Sequence, residues 1–153
     1  MPSIRETRAL PWSAEQMFDL VADVRRYPEF LPWVVATRVR SDGEHEMIAD
    51  MLVGFNALRE RFTSKVKKDR PRMIDVDYVE GPMRELDNKW FFHPRAEGGC
   101  TIDFSVDFTF RNSVFEALAG KYLDRAFRKM VTAFEERAAR LYGSSSSSAT
   151  SAA

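Results

Sequence analysis

Residues Thr101-Ile102-Asp103-Phe104-Ser105-Val106-Asp107-Phe108-Thr109-Phe110 alternate polar and apolar side chains without a miss. A period of two is that of a β-strand with one dry face and one wet face. Immediately downstream the period changes. Phe115, Leu118, Tyr122, Leu123, Phe127, Met130, Val131, Phe134, Ala138 and Leu141 recur at helical spacing, opposite Arg125, Arg128, Lys129, Glu135, Glu136 and Arg140. Ser113-Val114-Phe115-Glu116 has the form of a capping box and Gly143 is a natural stop. The spacing therefore predicts one helix of about 45 Å, long enough to cross a whole domain. A half-dry strand running into such a helix predicts an α+β fold in which a sheet turns its apolar face to the helix.

Upstream, the same alternation recurs. Ile74, Val76 and Tyr78 alternate with Asp75 and Asp77, while Leu58, Phe62 and Val66 share a parity opposite Arg59, Arg61, Lys65 and Lys67. Ser41-Asp42-Gly43-Glu44 and Glu97-Gly98-Gly99 are tight-turn signals. The predicted strands are 3–9, 33–41, 45–55, 58–69, 72–79, 85–94 and 100–110, giving a curved antiparallel sheet of six to seven strands around the long C-terminal helix. Ser13-Ala14-Glu15-Gln16 opens a short helix through Met17, Phe18, Leu20, Val21 and Val24. That helix cannot pass Pro28, and Tyr27 before the proline is pushed towards extended backbone.

The chain has 153 residues, read as one domain over 1–143 followed by a disordered Ser/Ala/Thr tail over 144–153. Twelve Phe, three Trp and seven Met supply side chains that fill a core or line an adaptable pocket, and composition leaves both open. The 23 basic and 23 acidic residues cancel, so the overall field favours neither nucleic acid nor anionic membrane. Cys100 is the single cysteine, which excludes an intrachain disulfide and a cysteine-based zinc cluster. No signal peptide and no spanning segment of roughly 20 apolar residues is visible, and a cytoplasmic protein, at most peripheral to an inner membrane, is expected.

Catalytic patterns are absent. None of the seven glycines falls in a phosphate-cradling motif, His45-Glu46 lacks a second histidine at metal-ligating spacing, and Cys100 has no activating neighbour. The chain is expected not to be an enzyme. Polar residues of dry parity are more informative. Glu60 and Ser64 share the parity of Phe62, and Asn88 that of Leu86 and Trp90. Such groups either reach solvent at a sheet edge or orient a ligand inside an apolar cavity. The segment Tyr27–Trp33 and the turn Glu80-Gly81-Pro82-Met83 are apolar for connections, and either plug the core or form a mouth. Residues 59–72 hold seven basic side chains against Glu60 and Asp69, a solvated strand face or a phosphate-contacting one.

Several motifs together resemble the coenzyme Q-binding, START-like family, also described as oligoketide cyclase/lipid transport or ribosome-association toxin proteins. They are Asp23, Tyr27-Pro28-Glu29-Phe30-Leu31-Pro32-Trp33, Gly54-Phe55, Glu60-Arg61-Phe62-Thr63-Ser64, Gly81-Pro82 with Leu86, and Trp90-Phe91-Phe92. Ala133-Phe134-Glu135-Glu136-Arg137-Ala138 and Leu141-Tyr142-Gly143 complete the set. The likeness covers about residues 3 to 143. It implies a helix-grip (START/Bet v-like) fold that holds ubiquinone or a similar prenyl lipid in support of respiration, with no required cofactor and no metal. The family's Gly-Pro-Phe turn is Gly81-Pro82-Met83 here.

On that resemblance the isoprenoid tail is expected on Met47, Met51, Phe62, Leu86, Trp90, Leu118, Tyr122 and Phe127. Glu60 or Ser64 is expected to meet the quinone oxygens or bound water, with Phe30, Leu31, Trp33 and Met83 at the entrance. Lys65, Lys67 and Lys68 are the expected contacts to a membrane. The rival implied by the same family is a toxin that binds the ribosome and blocks subunit association, using those lysines on RNA. A polyketide cyclase is the third label, and the lack of an acid/base pair argues against it.

Overall fold

The computed structural model describes residues 3–55 and 58–143. Seven strands form one antiparallel sheet: β1 (Ser3–Leu10), β2 (Val34–Asp42), β3 (Glu46–Phe55), β4 (Leu58–Asp69), β5 (Met73–Glu80), β6 (Met83–Pro94) and β7 (Cys100–Phe110). Their spatial order is β1-β7-β6-β5-β4-β3-β2, so β2 to β7 form a meander and β1 closes on the far side of β7. Register shifts interrupt the β2–β3, β4–β5 and β6–β7 ladders, at Val34/Ala36, Val39/Ser41, Thr63/Ser64 and Met83/Glu85. An extra residue on one strand bends it and increases its twist, which curves the sheet.

The alternation in β7 has the expected outcome. Ile102, Phe104, Val106 and Phe108 are buried on the concave face, while the polar residues between them face outward. Helix α1 (Ala14–Ala22) is capped as its sequence requires: the Ser13 hydroxyl accepts from Gln16 N at 3.1 Å, and Gln16 Oε1 accepts from Ser13 N at 2.9 Å. Its apolar stripe packs Phe18 on Phe92, centroids 5.7 Å apart. A 3-10 turn over Val24–Glu29 follows and contains Pro28, so Tyr27 lies within a turn instead of extended backbone. The Tyr27 hydroxyl donates to the Val21 carbonyl, and Leu31 N donates back to the Tyr27 carbonyl at 2.9 Å.

At the C-terminus two expectations are corrected. The helix is not continuous: α2 (Ser113–Arg128) and α3 (Met130–Tyr142) meet at Lys129, whose φ of −93° and ψ of −2° depart from helical values. Neither proline nor glycine stands there, so the sequence carries no visible breaker. The N-cap is Asn112, whose Oδ1 accepts from Phe115 N at 2.8 Å, and Ser113 is already the first helical residue. Gly143 ends α3 with a φ of +92°, as its position suggested.

The two halves of this helix pair are held differently. Side chains of α3 and its end are pinned by polar bonds: Arg8 to Glu135 at 2.7 Å and to Thr132 at 3.0 Å, Arg137 to Glu29, and Trp12 to the Gly143 carbonyl at 3.0 Å. Helix α2 meets the sheet through rings, Phe127 on Phe108 at 4.9 Å and Phe115 on Phe110 at 5.8 Å. The expected disordered tail, 144–153, lies outside the described residues.

Candidate functional site: an apolar cavity under the helices

The strand register brings the inward side chains of four strands together. β3 contributes Ala49, Met51 and Val53; β4 contributes Phe62, Ser64 and Val66; β5 adds Ile74 and Val76; and β6 adds Leu86, Asn88 and Trp90. Leu123, Ala126, Phe127, Met130 and Phe134 cover them from the helices, on both sides of the break at Lys129, while Val21, Val24, Tyr27 and Trp33 close one end. They enclose a cavity of about 120 Å³. Ala49, Ser64 and Ala126 are small where neighbouring rings are large, and that mismatch leaves the space unfilled.

The lining is almost wholly apolar. Asn88 is fully occupied, donating Nδ2 to the Ser105 carbonyl at 2.8 Å and accepting from Trp90 Nε1 at 3.0 Å. Burial pushes the Tyr27 phenol well above its ordinary range, and the Asp23 charge adds to the effect, so it stays protonated. The Ser64 hydroxyl has no hydrogen-bond partner among the described residues. No carboxylate, imidazole, amine or thiol among the described residues lines the cavity. Cys100 is buried elsewhere, and burial pushes its thiol up to about 11, where it is a small packed residue rather than a nucleophile.

Of the expected ligand residues, Trp33, Met51, Phe62, Ser64, Leu86, Trp90 and Phe127 line this cavity. Others do not. Glu60 has inward parity, opposite Val53, but sits partly exposed near the start of β4 and outside the lining. Met47 is core, and Tyr122 is half-buried beside the cavity without lining it.

Leu118 is corrected outright: it points to solvent, because α2 buries the Ala119, Leu123 and Ala126 stripe instead. The expected entrance is also corrected. Leu31 and Met83 are buried core side chains, Met83 N–H being held by the Tyr78 hydroxyl at 2.9 Å. Phe30 packs on Phe134 at 5.1 Å beneath the Arg137 guanidinium, so the 3-10 turn is a plug. Sequence reasoning missed Ala49 and Ala126, whose only signal is small size, and Val53, Ile74 and Val76, whose inward parity becomes decisive only once the register is known.

The expected lysines are not free. Lys65 pairs with Glu46 at 3.4 Å, Lys67 with Asp77 at 2.9 Å, and Lys68 with Asp42 at 2.6 Å. Arg70 forks onto Asp19 at 2.8 and 2.9 Å. The basic run is largely a set of cross-strand and strand-to-helix ion pairs.

A curved antiparallel sheet wrapped on C-terminal helices, with an apolar cavity between them, defines a helix-grip protein. The sequence profile of the polyketide cyclase / dehydrase and lipid transport family matches residues 10–135, and the chain belongs to that family. It is 36% identical over 140 residues to the ribosome association toxin RatA of Pseudomonas aeruginosa, covering 92% of this chain and 97% of that one. It is 34% identical over 142 residues to the coenzyme Q-binding protein COQ10 homolog B, mitochondrial, of Xenopus laevis, covering 90% of this chain and 58% of that one. The solution structure of an 18 kDa protein from Caulobacter crescentus superposes with a TM-score of 0.72 at 36% identity, over 94% of this chain and all of that one. A START superfamily protein from Mycobacterium smegmatis superposes with the same TM-score of 0.72 at 16% identity, over 91% and 98% of the two chains. The fold is thus the START-like helix-grip fold.

Proposed function

We propose that this protein binds and carries a hydrophobic ligand, ubiquinone or another polyprenyl lipid, without a catalytic step and without a required cofactor. The carrying observation is an almost wholly apolar cavity between sheet and helices in which, among the described residues, the Ser64 hydroxyl and the Trp33 indole N–H are polar groups without a hydrogen-bond partner. A molecule that is hydrocarbon along its length and has an oxygen at one end matches that inventory. Each Å² of its apolar surface removed from water contributes roughly 25 cal/mol, so a few isoprene units support tight binding. The name of the Xenopus relative supports the quinone. A lining without an acid/base pair supports carriage over the cyclisation chemistry in the family's description. A cytoplasmic place, peripheral to the inner membrane, belongs to the same reading.

The test is mass spectrometry of an organic extract from protein purified without detergent. A stoichiometric quinone or prenyl lipid is expected, reduced several-fold in Ala126→Leu, which fills the cavity. An empty extract, even after incubation with quinone-loaded vesicles, overturns the reading.

A second reading is favoured by the name of the Pseudomonas relative: association with the ribosome. Arg38, Arg59 and Arg61 lie on the outer sheet face with no ion pair among the described residues, and they are the groups that would meet phosphate. Co-sedimentation with ribosomal subunits, lost in Arg38→Gln/Arg59→Gln/Arg61→Gln, is the expected result of that version.

A further inference from the structure

The antiparallel register gathers the end of β5, the start of β6, the end of β7 and the start of α2 at one rim of the sheet: Glu80 lies opposite Thr63, and Met83 opposite Phe110. Arg111 ties the two parts of this rim together by donating to the Gly81 carbonyl. Large apolar side chains stand in solvent here. Val79 is 57% exposed, Val114 68% and Leu118 57%. The other two exposed large apolar side chains among the described residues, Val35 on β2 and Leu141 at the end of α3, stand on other elements, so three of the five fall on these neighbouring elements.

The outer face of α2 continues the pattern. Val114, Leu118, Lys121 and Arg125 stand at i, i+4, i+7 and i+11, which places all four on one narrow stripe of the helix. Lys121 and Arg125 are exposed and have no ion pair among the described residues, and Arg84 on the adjoining strand is in the same condition. Of the carboxylates in these elements, Glu116 lies on another side of the helix, two residues from both Val114 and Leu118, Glu80 and Glu85 are exposed on the rim strands, and Asp124 is engaged by Arg128 at 2.9 Å. Exposed aliphatic side chains at a helix start, followed by unpaired cations on the same face, complement an anionic lipid surface: the aliphatics enter the acyl boundary and the cations stay at phosphate depth. Nucleic acid would use the cations and leave the valines and leucine without a partner.

We propose that the outer face of α2, with the β5–β6 rim beside it, docks on an anionic phospholipid bilayer. The opposite face of the same helix supplies Leu123, Ala126 and Phe127 to the cavity. One helix thereby stands between the bilayer and the enclosed space, which is the position needed to pass an apolar ligand from one to the other. The transfer role rests on the carrier reading above; the docking itself does not.

The experiment is co-sedimentation of the full chain with vesicles of phosphatidylcholine alone and of phosphatidylcholine with phosphatidylglycerol. Binding is expected to the second and to fall steeply with salt. Lys121→Gln and Arg125→Gln are each expected to weaken it roughly fivefold, and Val114→Ser/Leu118→Ser roughly tenfold. All four side chains are on the surface, so circular dichroism melting curves of the variants are expected to overlay the parent's. Ligand content, measured by extraction from the same variants, separates the two proposals. Normal content with lost vesicle binding supports the docking face. An empty parent protein that still binds vesicles ends the carrier reading and leaves the docking face standing. Vesicle binding unchanged in every variant overturns the proposal. So does binding to RNA but not vesicles, or a dimer that Leu118→Ser converts to monomer.

Discussion

Trp90 is two residues from Asn88 on the inward face of β6, and its indole does two things at once. It donates to Asn88, and it meets Phe104 at 4.7 Å and Phe134 at 5.1 Å, joining the sheet to α3 through one ring. Trp90→Ala therefore removes core as well as cavity wall, and is expected to cost about 3–5 kcal/mol in denaturant unfolding. Trp90→Phe keeps most of the packing and frees Asn88, so it is the variant in which ligand retention, measured by extraction, reports on the site.

Asp50 gives a second prediction at this scale. It is buried on the outer face, and burial alone opposes its ionisation. Hydrogen bonds from Thr63 Oγ1 at 2.6 Å and Arg40 Nε at 2.8 Å outweigh that and hold the carboxyl below its ordinary range. A carboxyl depressed in the folded state stabilises above the unfolded-state value of about 3.9 and loses that contribution as pH falls through the folded value. Asp50→Asn is thus expected to lower stability at pH 7 by about 1–3 kcal/mol and to flatten the acid limb of the unfolding profile below about pH 4.

Among the elements, α2 is the one whose attachments suit movement. A cavity of about 120 Å³ is smaller than the roughly 300–1,000 Å³ of pockets that enclose a drug-sized ligand. On the carrier reading, loading a prenyl chain would therefore displace a wall. α3 is pinned to β1 and the 3-10 turn by charged and hydrogen-bonded side chains, whereas α2 lies on rings, with the irregular Lys129 between them. Hydrogen exchange is expected to show α2 amides opening faster than α3 amides in ligand-free protein, and slowing at least several-fold after incubation with quinone-loaded vesicles. Equal rates in the two helices would rule out α2 as the moving wall. The turn at Gly81 sits at the same rim, with a φ of +150°, and a Cβ there would fall 2.7 Å from the Tyr78 hydroxyl and 2.9 Å from the Arg61 carbonyl. Only glycine lets β5 turn into β6 so tightly.

These elements also mark where the amino-acid order is legible and where it is not. Strands alternate because one face is dry, so Ile102 to Phe110 announce both their conformation and their face. The helix pair was harder for two reasons. Its buried stripe in α2 runs through Ala119 and Ala126, whose small side chains weigh little in any apolar pattern, and the larger Leu118 drew the stripe onto the wrong face. The break at Lys129 follows from how two helical segments settle over a curved surface, which no residue type at the break records. Seven of the twenty lining residues were legible, and those on the strands for the same reason as the strands themselves: parity. The rest depends on how far each strand slides against the next, and the extra residues at the register shifts set that sliding.

At the scale of the whole molecule, charge balance conceals segregation. The net formal charge is zero, yet the outer sheet face divides into a basic half, with Arg38, Arg59 and Arg61 on β2 and β4, and an acidic half, with Asp75, Asp87 and Asp103 on β5 to β7. No helix among the described residues is long and apolar enough to cross a membrane. A ligand that binds only the folded form raises its stability by mass action. Quinone at a hundredfold excess over its dissociation constant is expected to add about 2.7 kcal/mol, read as a rise of several degrees in Tm, and no rise in Ala126→Leu.

The edge position of β1 has a consequence for how such a chain is made. Six strands pair with neighbours in sequence, but Ser3–Leu10 must wait for Cys100–Phe110, some hundred residues later. During synthesis, therefore, β1 leaves the ribosome before the other six strands and is the last of the seven to find its place. Until β7 emerges, Ile4 and Leu10 have no inner wall to join, and the half-built meander exposes the edge that β1 will never cover, along β2. Pairing across that distance costs more loop entropy than any other ladder in the sheet, and it sets the step at which a growing chain becomes a closed container.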